Sequence, residues 1–416
     1  MADENDFLAA IVDRPDDDAL RLVFADWLDE HGQPDRAAFI RLQIRAATLP
    51  PGDPERAALS GRAEELKRPH LREWMADFPW GGRLTGFDRG LLACVHGTAA
   101  QIAALPKRVW QAHPIRHLVL DKFAGRLDRV LALPSLPRVR HLTLFASDGP
   151  PTAADLEALA TCALLTGLES FANLADCGNG LAAALARCPS ARGLTDLYLS
   201  DGTHDDEGTA ALCTGADNLR RLKRLRIDGR AIGPGTAAAL ARTPALAALE
   251  SLQLYLGPTG DEGAAALAGA PHLAGLRELN LLAQGIGPAG AAALAATPHL
   301  TRLVRFSLSG NRTLGAGGAG AIAGGPWAEL TTLELDACLL FDNAAEAMAR
   351  SGRLVALVAL DLERNEIGPA GAAALSRAGW LAGLRELNLK NNPIGAVGAR
   401  ALRDGLPNLQ TLRVSA

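Results

Sequence analysis

Aromatic side chains are scarce in this 416-residue chain, at 4%, whereas residues of the hydrophobic set make up 48%. A core with so few rings must be built from leucine, alanine and valine. Thin, regularly stacked layers suit such side chains better than one large globular interior does. The 43 glycines and 24 prolines punctuate the chain often, as short repeated elements require.

Excess positive charge is also missing, since the formal net charge is −4. Without a basic field we expect no nucleic-acid partner. No window holds 18 uninterrupted apolar residues, and the chain starts with the acidic phrase MADENDFLAAIVDRPDDD. A secretory signal would be basic there, so we expect a soluble cytoplasmic protein with no membrane partner.

Cysteine pairing and catalytic motifs are absent as well. The six cysteines form no C-x-x-C pair, so we expect reduced, partly buried thiols. We find no nucleophile motif, P-loop, dinucleotide fingerprint or H-E-x-x-H. The glycines at 315–325 replace alanines of a helical phrase and lack the lysine of a phosphate loop. The sequence therefore predicts a non-enzyme without cofactor or metal.

A repeat of 27 residues dominates the rest of the chain. The phrase L-x-x-L-x-L recurs, and its middle apolar residue returns at identical spacing at Leu225, Leu252, Leu279, Phe306, Leu333, Leu360 and Leu387. Weaker copies are centred on Leu118, Leu142, Phe171 and Leu197. Each unit reads as a short alternating strand, a polar turn, an alanine-rich helix and a proline-containing return. The repeats predict a solenoid of about twelve units.

A strand and a helix in 27 residues resemble a leucine-rich repeat of the ribonuclease-inhibitor-like type over 115–416. The resemblance implies an α/β fold with a curved parallel sheet inside and helices outside. One feature departs from the pattern. The asparagine expected three residues after the second strand leucine is present only as Asn311, Asn365 and Asn392. We therefore expect an incomplete ladder of asparagine side chains.

The segment before the repeats has a different pattern of apolar residues. Residues 6–47 show two apolar helical faces and predict two or three short helices. The string P-D-D-D-x-x-R-L-V-F-A-D-W-L-D-E-x-G, continued by R-A-A-F-I-R-L-Q, resembles the bacterial repeat-companion domain. We place this module at 1–48 and assign 49–114 to a polar linker that leads into a helix and to an N-terminal cap. The cap would use aromatic residues such as Trp74 and Trp80, with a strand pair near 83–97.

The predicted concave face of the sheet is the candidate site, because strand neighbours of the buried leucines point there. Four carboxylates on adjacent strands would form one acidic patch. Like charges side by side destabilise a sheet, so we expect the patch to receive a basic protein surface, or alternatively a cation. Alternatively, Lys390 and Arg305 screen the four carboxylates, and the patch has no binding function. The proposed protein-binding residues are Glu334, Asp336, Asp361, Glu363, Glu386, Arg224, Arg226, Tyr255 and Arg305.

Several alternatives stay open at this point. The resemblance suggests an enzyme inhibitor or a GTPase-activating surface as sharper versions of a binding function. An independent enzyme would need a pocket near the N-terminal module, using Asp26, Arg36, Arg41 or His70, although Asp26 and Arg41 also suit an ion pair. The segment 204–207 has metal-ligating atoms but suits an exposed helix N-terminus better. Because the last strand has no cap after it, we also expect homo-association through its edge.

Overall fold

The computed structural model describes residues 3–76, 78–79, 85–145, 147–174, 176–200 and 202–415. The chain divides into two compact units, Met1–Glu169 and Ser170–Ala416. The predicted boundaries after residues 48 and 114 stay predictions. Trp80, assigned to the cap, lies outside the described residues.

The first unit begins with four helices and continues with four strands and shorter helices. Its elements are α1 Glu4–Asp13, α2 Asp18–Glu30, α3 Pro34–Thr48, α4 Pro54–Trp74, β1 Thr85–Asp88, β2 Leu91–Thr98, α5 Ala99–Ala103, α6 Lys107–Ala112, β3 His117–Asp121, α7 Leu127–Leu131, β4 His141–Phe145 and α8 Ala153–Thr161. Strands β1 and β2 form an antiparallel pair, as predicted, and β2, β3 and β4 are parallel.

The structure contains the predicted helical module and the helix predicted after the polar linker. Phe24, Leu28 and Ile40 are fully buried in the core of α1 to α3. The helix after the linker, α4, covers 21 residues and begins at Pro54, so the polar linker is confined to the few residues before it. Asp53 accepts a hydrogen bond from the Glu55 amide and Pro54 occupies the first turn, so the segment starts as a capped helix. Its polar residues are good helix formers, and only one narrow face is buried.

The second unit repeats a strand and a helix along its whole length. Its elements are β5 Ser170–Asn173, α9 Gly178–Arg187, β6 Asp196–Ser200, α10 Asp206–Thr214, β7 Arg224–Asp228, α11 Pro234–Ala241, β8 Ser251–Tyr255, α12 Gly260–Ala268, β9 Glu278–Leu282, α13 Pro288–Ala296, β10 Arg305–Ser307, α14 Gly315–Ala323, β11 Thr332–Glu334, α15 Asp342–Ser351, β12 Ala359–Asp361, α16 Pro369–Ser376, β13 Glu386–Leu389, α17 Gly395–Gly405 and β14 Thr411–Val414.

Strands β5 to β14 are parallel and follow one another in sequence order, with equivalent residues of successive repeats in register. The 27-residue period thus becomes a vertical stack in which Leu225 pairs with Leu252 and Leu252 with Leu279. These leucines are at most 1% exposed. Prolines 234, 288 and 369 stand in the first helical turn, as predicted. The α/β solenoid expected from the period is confirmed.

Buried asparagines bridge successive turns where they are present. Asn365 Oδ1 accepts hydrogen bonds from the Cys338 and Leu340 amides at 3.0 Å. Its Nδ2 donates to the carbonyls of Leu335 at 2.9 Å and Leu362 at 3.0 Å. Asn311 and Asn392 bond the backbone 30 residues earlier in the same way. Where Cys338 replaces asparagine, its Sγ donates to the Leu308 carbonyl at 3.2 Å. The ladder is incomplete, as expected.

Replacing Asn365 with alanine removes its side-chain hydrogen bonds with five backbone groups. We expect the Asn365→Ala variant to lose about 3 kcal/mol of unfolding free energy. Urea denaturation measures the loss, and amide hydrogen exchange at Cys338 and Leu340 reports it locally. The matched control is Asn408→Ala, since Asn408 is exposed and donates one hydrogen bond. Equal losses in the two variants would contradict this role of the ladder.

Candidate functional site

The side chains that alternate with the buried strand residues form the open face of the second unit, which corresponds to the face predicted to be concave. Strand pairing arranges these side chains in rows that run across the strands. The central row runs across nine strands through Tyr198, Arg226, Gln253, Asn280, Ser307, Glu334, Asp361, Asn388 and Arg413. Most of these side chains are partly exposed, whereas their strand neighbours on the other face are buried. The open face is therefore a continuous polar surface.

Glu334, Asp336, Asp361 and Glu363 form the acidic patch on this face. Glu334 pairs directly with Asp361 across strands β11 and β12. Asp361 accepts hydrogen bonds from the Glu363 amide at 2.8 Å and from Asn388 Nδ2 at 3.0 Å. Asn388 Nδ2 also donates to Glu363 at 2.9 Å, and Ser309 donates to Asp336. Polar groups thus hold the carboxylates in place.

Two of these carboxylates are poorly compensated. Burial, with a further contribution from Asp336 and Asp361, raises the pKa of Glu334 above its usual value although Arg305 opposes the shift. Burial likewise raises the pKa of Asp361, together with the charges of Asp336 and Glu363. No lysine or arginine of the described chain forms an ion pair with either carboxylate. Within the described residues, neither carboxylate therefore has a cationic partner of its own.

Glu363 has the opposite shift. The hydrogen bond from Asn388, assisted by Arg364, lowers its pKa. Lys390 contributes to this lowering only as a nearby charge. The predicted screening by Lys390 and Arg305 is therefore partial: it favours ionisation of Glu363 but leaves Glu334 and Asp361 with raised pKa values.

A depression of about 430 Å³ lies beside the patch on strands β10 to β14. Small side chains, Thr332, Ala359 and Thr411, contribute to its lining. Charged side chains line it as well: Arg305, Glu334, Asp361, Glu386 and Arg413. Arg305 and Glu386, both proposed from the sequence, are thus brought together with two members of the patch. An extended or protruding segment of another molecule fits such an open depression.

A second polar cluster lies on strands β6 to β9. The Arg226 guanidinium stacks between the rings of Tyr198, at 4.5 Å, and Tyr255, at 4.2 Å. Asp228 accepts from its Nε at 2.9 Å and from its Nη2 at 2.8 Å. The Tyr198 hydroxyl donates to the same carboxylate at 2.8 Å. We call these four residues the Tyr–Arg cluster.

The sequence pointed to Arg226 and Tyr255 as site residues but omitted Tyr198 and Asp228. The signal was present, because the recurring strand motif places Tyr198, Arg226 and Tyr255 on three successive strands. The chain contains only two tyrosines, and both flank this arginine. Arg224, also proposed, lies on the same strand and forms an ion pair with Asp196.

The residues of the alternative enzyme site are distributed over separate ion pairs of the first unit. Arg41 pairs with Asp26 at 2.6 Å and Asp29 at 2.7 Å, which confirms the predicted ion pair. Arg36 bonds Glu4, and His70 lies 2.9 Å from Asp35. These contacts give each side chain a structural partner.

The segment at residues 204–207 forms a helix N-terminus, as predicted, although His204 is buried rather than exposed. Asp205 accepts from the Glu207 and Gly208 amides and caps α10. Asp206 accepts from the amides of Gly233 and Thr236, both at 2.7 Å, at the start of the next helix. Within the described ranges, no three histidine, cysteine or acidic side chains are arranged to hold a metal ion. The glycines of 315–325 lie mainly in helix α14, as expected.

Comparison with known proteins supports the repeat assignment. Residues 357–376 and 384–402 match the leucine-rich repeat family. An internalin from Listeria monocytogenes aligns at 17% identity and a TM-score of 0.46, covering 78% of this chain and 86% of that chain. The C-terminal domain of a Caenorhabditis elegans tropomodulin aligns at 13% identity and a TM-score of 0.24, covering 28% and 75%. No curated protein matches the chain significantly.

None of the helices in the described part of the chain is long and apolar enough to cross a membrane.

Neutralising Glu334 should stabilise the fold. Its pKa is raised in the folded state, so ionisation at neutral pH opposes folding, and the opposition disappears below the unfolded pKa. We expect Glu334→Gln to raise Tm at pH 7 relative to the parent protein, with the gain vanishing near pH 3. Thermal denaturation across this pH range measures the difference.

Glu363→Gln is the matched control, because the lowered pKa of Glu363 stabilises the fold when the group is ionised. This variant should show no gain in Tm at pH 7. A stabilisation that is the same for both variants, or independent of pH, would count against the uncompensated charge at Glu334.

Proposed function

We propose that this chain is a non-catalytic protein-binding solenoid, and that the open face of its second unit receives the partner. The leucine-rich repeat match and the regular stack of strands support a binding role, since repeat proteins present extended surfaces to other proteins. Eight inter-strand spacings of about 4.8 Å give the central row a length of roughly 38 Å. A row of that length accommodates a protein interface of ordinary size.

The observation that carries the proposal is the unpaired charge of Glu334 and Asp361. Both carboxylates are half-buried and have raised pKa values, and they stand on adjacent strands. A lysine or arginine from a partner would supply the missing counter-charge and convert an unfavourable arrangement into charge-assisted hydrogen bonds. We therefore assign a basic partner surface to the acidic patch. Arg305 and Glu386 belong to the same proposed surface, because they line the depression beside it.

Reversing the patch charges should remove this partner. The quadruple variant combines Glu334→Lys, Asp336→Lys, Asp361→Lys and Glu363→Lys. We expect its affinity for the partner to be at least 100-fold lower, since repulsion replaces several attractive pairs. Affinity capture from the native host at low and moderate salt identifies the partner. Calorimetry with the purified pair then measures the affinity.

The control reverses four carboxylates away from the open face, Asp217, Glu329, Glu366 and Asp404, all exposed. It changes the net charge by the same amount and should keep the affinity within about threefold. A partner bound equally well by the patch variant would refute the assignment to the acidic patch.

Affinity should also depend on pH. The raised pKa values of Glu334 and Asp361 mean that acidification protonates them before ordinary exposed carboxylates. Since only the ionised forms attract a basic group, affinity should fall as pH drops through these raised pKa values. Binding isotherms between pH 7 and pH 4 measure the decline. In the double variant Glu334→Gln and Asp361→Asn, the affinity at pH 7 should be weaker than that of the parent protein. It should also change little with pH in the upper part of the range from pH 7 to pH 4. A steep decline of the double variant's affinity there would contradict the assignment.

We also propose that the protein is bacterial and cytoplasmic and that it associates with itself. Fractionation of the native host tests the cytoplasmic location, and light scattering at tens of micromolar protein tests the self-association.

A further inference from the structure

The Tyr–Arg cluster, unlike the acidic patch, presents a cation that is fixed in place before any partner arrives. Both faces of the Arg226 guanidinium are covered by tyrosine rings, and Asp228 holds one edge through two hydrogen bonds. The tyrosines are themselves anchored. Tyr198 donates to Asp228, and Tyr255 donates to Gln253 Oε1 at 3.0 Å and accepts from Asn280 at 3.2 Å. Little side-chain entropy remains to be lost when a ligand binds here.

The guanidinium retains unused donors. It has five N–H groups, and only Nε and Nη2 donate to Asp228. Within the described chain Nη1 donates to no protein acceptor, and the Arg226 side chain is 38% exposed. Arg224 on the same strand is 63% exposed and pairs with Asp196 through Nε. Two neighbouring guanidinium groups therefore have N–H groups to offer a ligand.

A small pocket of about 170 Å³ connects these two arginines. Its lining includes Arg224, Arg226 and Asp196, which is the ion-pair partner of Arg224, together with Tyr198, Phe171 and Ser251. Phe171 is fully buried, and the exposed area of the lining is mainly apolar. A ligand group that enters this pocket loses contact with water on its apolar sides. A charge-assisted hydrogen bond is stronger there than in open solvent.

From this geometry we propose that the pocket binds a carboxylate group of the partner, with Arg226 as its principal donor. Planar guanidinium edges match carboxylate geometry, and the two arginines provide donors from two directions. The inference rests on the proposed function, because it assumes that a protein occupies the open face. It assigns to that partner an acidic group on β6 to β8 in addition to the basic group at the acidic patch.

The local charge balance favours a carboxylate over a phosphate. Asp196 and Asp228 already neutralise part of the positive charge of Arg224 and Arg226. Both aspartates repel any anion, and the repulsion of a dianionic phosphate is about twice that of a carboxylate with a single negative charge. The apolar lining of the pocket also suits the methylene groups of an aspartate or glutamate side chain.

The two tyrosines make a direct test possible. Because the chain contains no other tyrosine, protein labelled with 3-fluorotyrosine gives two ¹⁹F resonances, and both report this cluster. The full chain is titrated with acetyl-Gly-Glu-Gly-amide and with acetyl-Gly-Gln-Gly-amide at constant ionic strength. We expect saturable shifts of both resonances with the glutamate peptide, with a Kd of roughly 1 mM, and at least tenfold weaker binding of the glutamine peptide.

Two further probes distinguish the source of the anionic group. Acetyl-Gly-Gly-Gly with a free C-terminus, compared with its amide, reports whether a terminal carboxylate binds as well as a side chain. Inorganic phosphate tests the other anion class. Saturable shifts from either carboxylate source support the proposal and name the source. Shifts from phosphate alone, equal shifts from the glutamate and glutamine peptides, or no shift would overturn it.

Arg226→Gln should weaken binding of the glutamate peptide at least tenfold, whereas the control Arg230→Gln, on the exposed turn after β7, should leave it unchanged. The wild-type comparison of the two peptides decides the question even if Arg226→Gln fails to fold. The proposed function is tested by a separate result. If a partner is still captured after the charges of the acidic patch are reversed, the basic-surface assignment is contradicted, and the result of the peptide titration is unaffected.

Discussion

The constraint on which the second unit depends is the burial of one apolar row at a constant 27-residue spacing. Leu252, Leu279 and Phe306 are 0% exposed and lie in register on successive parallel strands. Strand side chains alternate between faces, so burying this row fixes which residues point to the open face. A register slip of one residue would bury Glu334 and Asp361 and expose their leucine neighbours. The positions of the open-face charges are therefore a consequence of the core.

Two different electrostatic solutions occur on the same face. In the Tyr–Arg cluster, every charge has a partner within the protein, and aromatic rings restrict the arginine. In the acidic patch, Glu334 and Asp361 have hydrogen bonds or nearby charges but form no ion pair with the residues that the structure describes, and their pKa values rise. The first arrangement is preorganised, and the second has a cost that a cationic partner would offset. A partner with one acidic and one basic group would use both.

The period let the sequence predict the strand register and the open-face rows, because a fixed spacing between leucines leaves little freedom in a parallel stack. The sequence predicted a helix after the polar linker but not that α4 begins as early as Pro54, where Asp53 caps it. Nor could it predict that Asp206 caps the following repeat's helix, since that contact joins residues about 30 positions apart. The roles of Tyr198 and Asp228 depend on rotamers, which spacing does not specify. The opposite pKa shifts of Glu334 and Glu363 depend on burial and on Asn388, which are tertiary features.

Carboxyl footprinting of the captured complex tests the central claim, that the open face of the second unit is the binding surface. Carbodiimide-activated labelling of exposed carboxylates is compared with and without the partner and read out by mass spectrometry. The account predicts that Glu334, Asp361 and Glu386 lose labelling in the complex, whereas Asp217, Glu329 and Asp404 keep it. Unchanged labelling of the first group, with protection of the second, would contradict a partner seated on the open face.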